Sequence, residues 1–116
     1  MQLALLKAAI LGIGFASTAS AYVVALYNSR DCSGDFTELN VWDITCATPG
    51  RGWGSARVVA YGGKGQSARF HTVDNCGSPV LWGPAWADGG EDTFQVNNCI
   101  SLGEGHVANA AGSFAV

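Results

Sequence analysis

Short stretches in which apolar and polar residues alternate recur along most of the chain. Alternation is clear over residues 37–41, 56–61 and 68–71. A period of two residues is typical of a strand with one buried face. No segment of a dozen residues after position 21 has the 3.6-residue period of an amphipathic helix. The pattern predicts an all-β domain of short strands, arranged as a sandwich or a barrel.

Turn-forming segments separate these stretches. They are rich in Gly, Pro, Asn, Asp and Ser, and they cover residues 28–34, 49–54, 62–65, 75–79 and 87–92. All but two of the 16 Gly of the chain lie after position 21. Glycine and the small polar residues favour tight turns, which supports the interpretation of these segments as connections between strands.

The first 21 residues have a different pattern. Lys7 interrupts an apolar stretch, and the small residues Ala19, Ser20 and Ala21 end the segment. A basic start, an apolar centre and a small-x-small site are typical of a secretory signal peptide. The apolar stretch over residues 3–16 has 14 residues, fewer than the roughly 20 that a membrane-spanning helix needs. We predict a signal peptide over residues 1–21, with cleavage after Ala21 or after Ala19.

Removal of this segment leaves a small acidic domain. Residues 22–116 are 95 of the 116 residues, and loss of Lys7 changes the formal net charge from −3 to −4. No basic run remains, which excludes the electrostatic footprint of a nucleic-acid-binding protein. No second apolar stretch is long enough to span a bilayer. We expect one secreted domain that binds no nucleic acid and does not insert into a membrane.

All four cysteines lie in this domain, at Cys32, Cys46, Cys76 and Cys99. An even number of cysteines in a short exported chain is typical of disulfides. Structural zinc sites usually have closely spaced ligand pairs, whereas the gaps here are 13, 29 and 22 residues. We therefore expect two disulfides and no metal. Four cysteines can pair in three ways.

The two halves of the domain, residues 22–62 and 66–116, resemble each other. Residues 24–34 and 68–77 each contain an aromatic strand end, a polar turn, a Cys and a Gly. Residues 37–46 correspond loosely to residues 93–99, and each half ends with Gly-Ser leading into a strand. The similarity indicates an internal duplication.

A duplication would give each half its own pair of cysteines. It therefore favours the disulfides Cys32–Cys46 and Cys76–Cys99 among the three pairings. A bridge between Cys46 and Cys76 would contradict this model of duplicated halves.

The order of an aromatic residue, a short turn, a Gly and a later Ser that leads into a strand resembles the βγ-crystallin-type double Greek key. Residues 23–34 in particular are similar to the start of small cysteine-rich secreted proteins of fungi with that fold. The resemblance covers the whole predicted mature domain and implies a sandwich of two Greek-key motifs. It implies that Tyr27 and Phe70 pack over a folded hairpin as its aromatic corner.

The same resemblance implies structural roles for two glycines and two serines. Gly34 and Gly77 would adopt a backbone conformation that is unfavourable for other residues. Ser55 and Ser113 would form hydrogen bonds with the folded hairpin of their own half.

Many members of the resembled family bind calcium with Asn or Asp side chains placed shortly before a Ser. Calcium requires several oxygen ligands. The matching stretch over residues 50–55 contains Arg51 and no acidic residue, and the stretch over residues 108–113 offers only Asn109. We expect no calcium site of this type and no cofactor.

Catalytic motifs are absent from the sequence. Neither G-x-S-x-G nor H-E-x-x-H occurs. A catalytic role for His71 or His106 needs a nucleophile or carboxylate held beside the ring, and no local motif supplies one. Asp88 and Glu91 could form a hydrolytic carboxylate pair, but an acidic surface loop is the simpler interpretation. We expect no enzymatic activity.

Residues 81–92 form the candidate recognition segment. Two Trp flank a Gly-Pro turn and precede an acidic stretch, so the candidate residues are Trp82, Trp86, Asp88, Glu91 and Asp92. Exposed indoles anchor interfaces and stack on sugars, whereas buried ones fill a small core. We expect at least one of these two rings to be buried, and we expect Trp42 and Trp53 to be core residues.

The resemblance implies an effector-like interaction protein that acts outside the cell on a protein or a glycan. An antimicrobial or killer-toxin-like protein is the alternative, although membrane-disrupting proteins favour Lys and Arg and this domain is acidic. A protease inhibitor is a further alternative, for which residues 79–84 would supply the rigid exposed loop.

Overall fold

The computed structural model describes residues 20–113, which form eight β-strands and contain no helix. The all-β class is therefore confirmed, and the strands predicted over residues 37–41, 56–61 and 68–71 coincide with the strands Phe36–Trp42, Ser55–Ala60 and Ser67–His71. The strands are β1 (Ala21–Tyr27), β2 (Phe36–Trp42), β3 (Thr45–Ala47), β4 (Ser55–Ala60), β5 (Ser67–His71), β6 (Val80–Trp86), β7 (Cys99–Ser101) and β8 (Ala110–Ser113). The predicted signal peptide lies outside the described residues except for Ser20 and Ala21.

The strands form two four-stranded antiparallel sheets with the orders β2-β1-β4-β7 and β3-β8-β5-β6. Strands β1 to β4 correspond in this order to strands β5 to β8. When each strand of the first sheet is exchanged for its counterpart, the result is the order of the second sheet read in reverse. The third strand of each half, β3 or β7, lies in the sheet of the other half. The two halves are therefore equivalent in strand order, but neither is self-contained.

The exchange of the third strands explains the disulfides. The bridges are Cys32–Cys99 and Cys46–Cys76, so the predicted pairing within halves is wrong. Each bridge joins the first hairpin of one half to the third strand of the other half. The two are close because that third strand lies in the same sheet as the strands of the hairpin. The model of two separately closed halves is wrong for the same reason.

The second half aligns with the first differently from the prediction. Residues 93–98 are turns and irregular chain, and the counterpart of β2 is β6. The last strand, β8, begins at Ala110 and contains Ser113 as its final residue. The predicted strand from that Ser onwards lies mostly outside the described residues.

Apolar side chains from both sheets meet between them. In β1 the inward positions are Tyr22, Val24 and Leu26, all of which are fully buried. Phe94, in the connection between β6 and β7, packs edge-on against Tyr22 with ring centroids 5.3 Å apart. This aromatic contact lets a turn-rich connection close one side of the core.

Two buried polar side chains also join the sheets. The Tyr22 hydroxyl donates to the Gly112 carbonyl at 3.0 Å, and burial raises the pKa of Tyr22 well above its usual value. Gln66 Nε2 donates to the Val41 carbonyl at 3.0 Å, and its Oε1 accepts from the Gly63 N–H at 2.8 Å. Satisfied buried bonds of this kind fix one arrangement of the sheets.

The hairpin between β1 and β2 folds back over the outer face of its sheet. Ser55 Oγ accepts from the Cys32 N–H at 2.9 Å and donates to the Ser29 carbonyl at 2.7 Å. Tyr27 is buried there, and its ring lies 5.5 Å from that of Phe36. Gly34 has a φ of 89°, which favours glycine.

The hairpin of the second half differs from the prediction. Gly77 has no positive φ; the residue that has one is Cys76, at 60°, matching 57° at Cys32. Phe70 does not cap a hairpin, because it faces the core and is fully buried. His71 takes the place of Tyr27, five residues before the hairpin cysteine.

Ser113 also departs from its predicted role. Its Oγ donates to Asp43 Oδ1 at 3.3 Å, in the first half of the chain. The second hairpin is instead held by Asn109, whose N–H donates to the His71 carbonyl at 2.9 Å and whose Nδ2 donates to the Thr72 carbonyl at 2.8 Å. The Gly-Ser pairs that contain Ser55 and Ser113 therefore do not occupy equivalent positions in the two halves.

Candidate functional site

The two tryptophans of β6 lie on opposite faces of their sheet. Trp82 is half-buried and stacks on Phe70, with ring centroids 5.0 Å apart. Trp86 is 39% exposed. Only Trp86 is therefore available as an exposed anchor, whereas Trp82 packs against the core.

A bulge in β6 causes this separation. Residues four apart in a regular strand share a face, but Ala68 pairs with Ala85 and Phe70 pairs with Trp82, so β6 contains one extra residue. Gly83 lies in the bulge with a φ of 98°, and a Cβ there would lie 2.5 Å from the Ala68 carbonyl oxygen. Only glycine fits this close approach.

Trp86 lines two pockets on the surface. The smaller has a volume of about 150 Å³, and the larger has a volume of about 350 Å³. We call the two together the Trp86 groove. The smaller pocket is lined by Ser67, Pro84, Ala85, Trp86 and Glu91, and the larger by Lys64, Gly65, Trp86, Asp88 and Gly90.

Glu91 is held against the strand that carries the indole. Its Oε1 accepts from the Trp86 N–H at 3.3 Å. Because β6 is an edge strand, this N–H would otherwise face solvent unpaired. The bond keeps a carboxylate beside the Trp86 ring.

Asp88 is fixed on the other side by two backbone donors. Its Oδ2 accepts from the Gly65 N–H at 2.9 Å, and its Oδ1 accepts from the Gly90 N–H at 3.0 Å. These bonds, with a smaller effect of the Lys64 ammonium, hold the pKa of Asp88 below its usual value. Each carboxylate oxygen retains capacity for another donor, so Asp88 is an ionised and oriented acceptor.

The structure thus brings Trp86, Asp88 and Glu91 together, but not the whole predicted set. Trp82 belongs to the core, and Asp92, although exposed, lines neither pocket. Lys64 and Gly65 were not predicted as site residues. They reach the groove because the turn over residues 62–65 is bonded to the Asp88 carboxylate, a contact that no local sequence signal reveals.

Trp53 and Trp42 have opposite environments. Trp53 is 1% exposed, as expected, and packs edge-on against Phe70. Trp42 is 50% exposed, which contradicts its prediction as a core residue. It occupies the last position of the edge strand β2, where alternation points it away from the buried Val41.

The stretches compared with calcium loops lie beside a third pocket of about 180 Å³, which includes Arg51, Asp74 and Asn109 in its lining. The Arg51 guanidinium is already engaged, donating to the Leu26 carbonyl at 3.0 Å and to Thr37 Oγ1 at 3.1 Å. Within residues 20–113, no group of three or more His, Cys, Asp or Glu is placed to hold a metal ion.

The histidines have unrelated environments. His71 is 2% exposed, and its Nδ1–H donates to the Gly77 carbonyl at 3.0 Å. His106 lies in an exposed turn. The candidate inhibitor segment, residues 79–84, is mostly part of β6, which pairs with β5, so it is not a free loop.

The described part of the chain, residues 20–113, contains no helix with the length and hydrophobicity needed to cross a membrane. Comparisons with protein-family models, with curated proteins and with solved structures give no match.

Proposed function

We propose that this chain is a secreted, disulfide-stabilised, non-enzymatic interaction protein that acts outside the cell. The Trp86 groove is its binding surface, and its domain is a βγ-crystallin-like double Greek key. A single observation carries the proposal: the exposed Trp86 lines two pockets, and each pocket also contains a carboxylate that is held by a backbone N–H.

An indole in this setting favours binding. Tryptophan is among the residues that contribute most to recognition when its ring is accessible and its surroundings are rigid. Here the backbone of Trp86 is held by β5 and by the Glu91 carboxylate. A rigid anchor loses little conformational entropy when a partner binds.

The order of strands supports the double Greek-key assignment. In each half, the first strand lies between the second and the fourth, and the third strand crosses to the other sheet. Four antiparallel strands with one long return connection define a Greek key. Two such units packed together form the two-Greek-key sandwich that the resemblance implies, and the exchange of third strands is an addition to it.

The state of Asp88 argues against acid–base catalysis in the groove. A general acid at neutral pH needs a carboxyl group with a raised pKa, whereas backbone hydrogen bonds from Gly65 and Gly90 lower the pKa of Asp88. A carboxylate that is ionised at neutral pH is suited to accept hydrogen bonds from a ligand.

Secretion is proposed from two features. The pattern of residues 1–21 is that of a signal peptide. All four cysteines form disulfides, which persist in oxidising compartments. The two features concern different parts of the chain and favour the same location.

The test is binding of the oxidised mature protein to arrays of glycans and purified extracellular proteins. We expect at least one ligand whose binding is lost in Trp86→Ala and retained in Trp42→Ala. The second variant is a matched control, because Trp42 is also an exposed indole at the end of an edge strand. Binding that survives Trp86→Ala, or no binding at all, would contradict the proposal.

The toxin-like alternative has a separate readout. Release of dye from anionic vesicles at low micromolar protein would favour it over the proposed role. The protease-inhibitor alternative needs residues 79–84 as a rigid exposed loop, but most of these residues belong to β6.

A further inference from the structure

We infer that the ligand of the Trp86 groove is a neutral glycan that carries an N-acetylated amino sugar. The inference rests on the proposed function and names the chemical class of its ligand. It depends on the different chemistry of the two pockets that Trp86 lines.

The Trp86 ring suits one face of a sugar. The C–H groups of a pyranose form an apolar face that packs on an aromatic ring, while the hydroxyls around its edge need hydrogen-bond partners. Trp86 is 39% exposed, and both pockets that it lines contain polar residues. Small ligand sites usually combine an apolar wall with a few placed polar groups in this way.

The larger pocket offers partners for hydroxyl groups. The Asp88 carboxylate is fixed by Gly65 and Gly90 and can accept additional hydrogen bonds. The Lys64 ammonium lines the same pocket and can donate. A sugar hydroxyl both donates and accepts, so a neighbouring acceptor and donor match adjacent hydroxyls.

The smaller pocket suits an acetamido group. Pro84, Ala85 and Trp86 give it apolar walls, whereas Ser67 and Glu91 add polar atoms. An acetamido group has a methyl for the apolar walls and an N–H that can donate to the Glu91 carboxylate. A plain hydroxyl in that position would leave the apolar walls uncovered.

Charge selects among acetylated sugars. Asp88 and Glu91 line the groove, and Asp92 follows in the same loop. A sugar with its own carboxylate would be repelled by these groups, with Lys64 as the single cation lining the two pockets. Neutral N-acetylhexosamine oligomers should therefore bind more tightly than sialylated ones.

The experiment is a calorimetric titration of the oxidised protein with a β-1,4-linked oligomer of N-acetylglucosamine and with the glucose oligomer of the same length. We expect the acetylated oligomer to bind at least about tenfold more tightly. Binding should be lost in Trp86→Ala and kept in Trp42→Ala. In Glu91→Gln, which retains an oxygen for the Trp86 N–H, the preference for the acetylated oligomer should decrease.

A second readout uses the unmodified protein and does not depend on the folding of a variant. The indole N–H signal of Trp86 in the NMR spectrum should shift on titration with the acetylated oligomer, and that of Trp42 should not. A signal of Trp86 that does not move at saturating sugar would overturn the inference.

The remaining outcomes separate the inference from the proposed function. Equal affinity for the two oligomers, or tighter binding of a sialylated oligomer, would overturn the assignment of the acetamido pocket. Trp86-dependent binding to an extracellular protein, with no binding of sugar, would overturn the inference and leave the proposed function standing. Failure of all Trp86-dependent binding would overturn both.

Discussion

Ser55 and the backbone of Cys32 are joined by a buried hydrogen bond of 2.9 Å, donated by the Cys32 N–H to the Ser55 hydroxyl oxygen. The same hydroxyl donates to the Ser29 carbonyl at 2.7 Å. One side chain thus satisfies two backbone groups of a hairpin that has no strand partner at this point. The bond also sets the position of a cysteine that bridges to the other half of the chain.

Replacement of this serine should destabilise the protein measurably. Ser55→Ala leaves the Cys32 N–H and the Ser29 carbonyl without their partner, which costs about 1–3 kcal/mol. Ser113→Ala is the control, because Ser113 is equally buried but its longer bond goes to the exposed Asp43. Urea unfolding should show a clearly larger loss for Ser55→Ala. Equal losses would contradict the role assigned to Ser55.

Both disulfides should contribute strongly to stability. Each joins residues distant in sequence, with separations of 67 for Cys32–Cys99 and 30 for Cys46–Cys76. Loop-closure entropy then predicts losses of about 4 kcal/mol for removal of either bridge, with the larger loss for Cys32–Cys99. Double Cys→Ala variants, compared by urea unfolding, test this order.

Peptide mapping without reduction checks the pairing itself. It should find the peptide of Cys46 attached to that of Cys76, and the peptide of Cys32 attached to that of Cys99. Recovery of Cys32–Cys46 would contradict the exchange of third strands on which the fold depends.

Local patterns in the sequence were sufficient for part of the fold. Alternation over residues 37–41, 56–61 and 68–71 predicted strands because each has one face against the core. The five turn segments were found because glycine and small polar residues are required there. Both signals depend on a few adjacent residues, which a single sequence contains.

The errors concern relationships between distant residues. The pairing of Cys32 with Cys99 depends on β7 crossing to the other sheet, and a similarity between halves does not reveal that exchange. No local sequence signal indicated the bulge at Gly83, which puts Trp82 and Trp86 on opposite faces of the sheet. The groove likewise needed the contact between Asp88 and the distant Gly65.

The bulge makes a prediction about glycine. Gly83→Ala would place a Cβ 2.5 Å from the Ala68 carbonyl oxygen, at a φ of 98°. We expect a loss of about 2–4 kcal/mol from the clash and the left-handed backbone together. Gly105→Ala is the control, because Gly105 also has a positive φ, of 79°, but a Cβ there meets nothing within 4 Å.

The control should lose only the backbone cost, about 1 kcal/mol. Thermal unfolding of the two variants separates the effects. Equal destabilisation would show that the approach of β6 to β5 is less close than the bulge requires. Gly83→Ala should also reduce ligand binding, because the bulge orients Trp86.

Acid should weaken the loop that carries Asp88. The folded pKa of Asp88 lies below its usual value of 3.8, chiefly because of the bonds from Gly65 and Gly90. A depressed folded pKa contributes stability above pH 3.8, and that contribution is lost as the pH falls through the folded value. The melting temperature should therefore fall between pH 5 and pH 2, and Asp88→Asn should reduce that fall.

Asp92→Asn provides the comparison, because Asp92 is a carboxylate of the same exposed loop that does not line the groove. The reduction of the fall in melting temperature should be larger in Asp88→Asn than in Asp92→Asn. An Asp88→Asn variant with unchanged acid sensitivity would contradict the stabilising role of the two backbone bonds.

The start of β1 favours one of the two predicted cleavage sites of the proposed signal peptide. Ala21 pairs with Trp42, the Ser20 carbonyl accepts from the Asp43 N–H at 3.1 Å, and Ser20 Oγ donates to Gln66 Oε1 at 3.5 Å. Cleavage after Ala21 would remove both residues and leave the Asp43 N–H without this partner, whereas cleavage after Ala19 keeps them. After removal of the proposed signal peptide, the intact mass should therefore correspond to a chain that begins at Ser20. A mass corresponding to a start at Tyr22 would show that the pairing of Ala21 with Trp42 is not part of the mature fold.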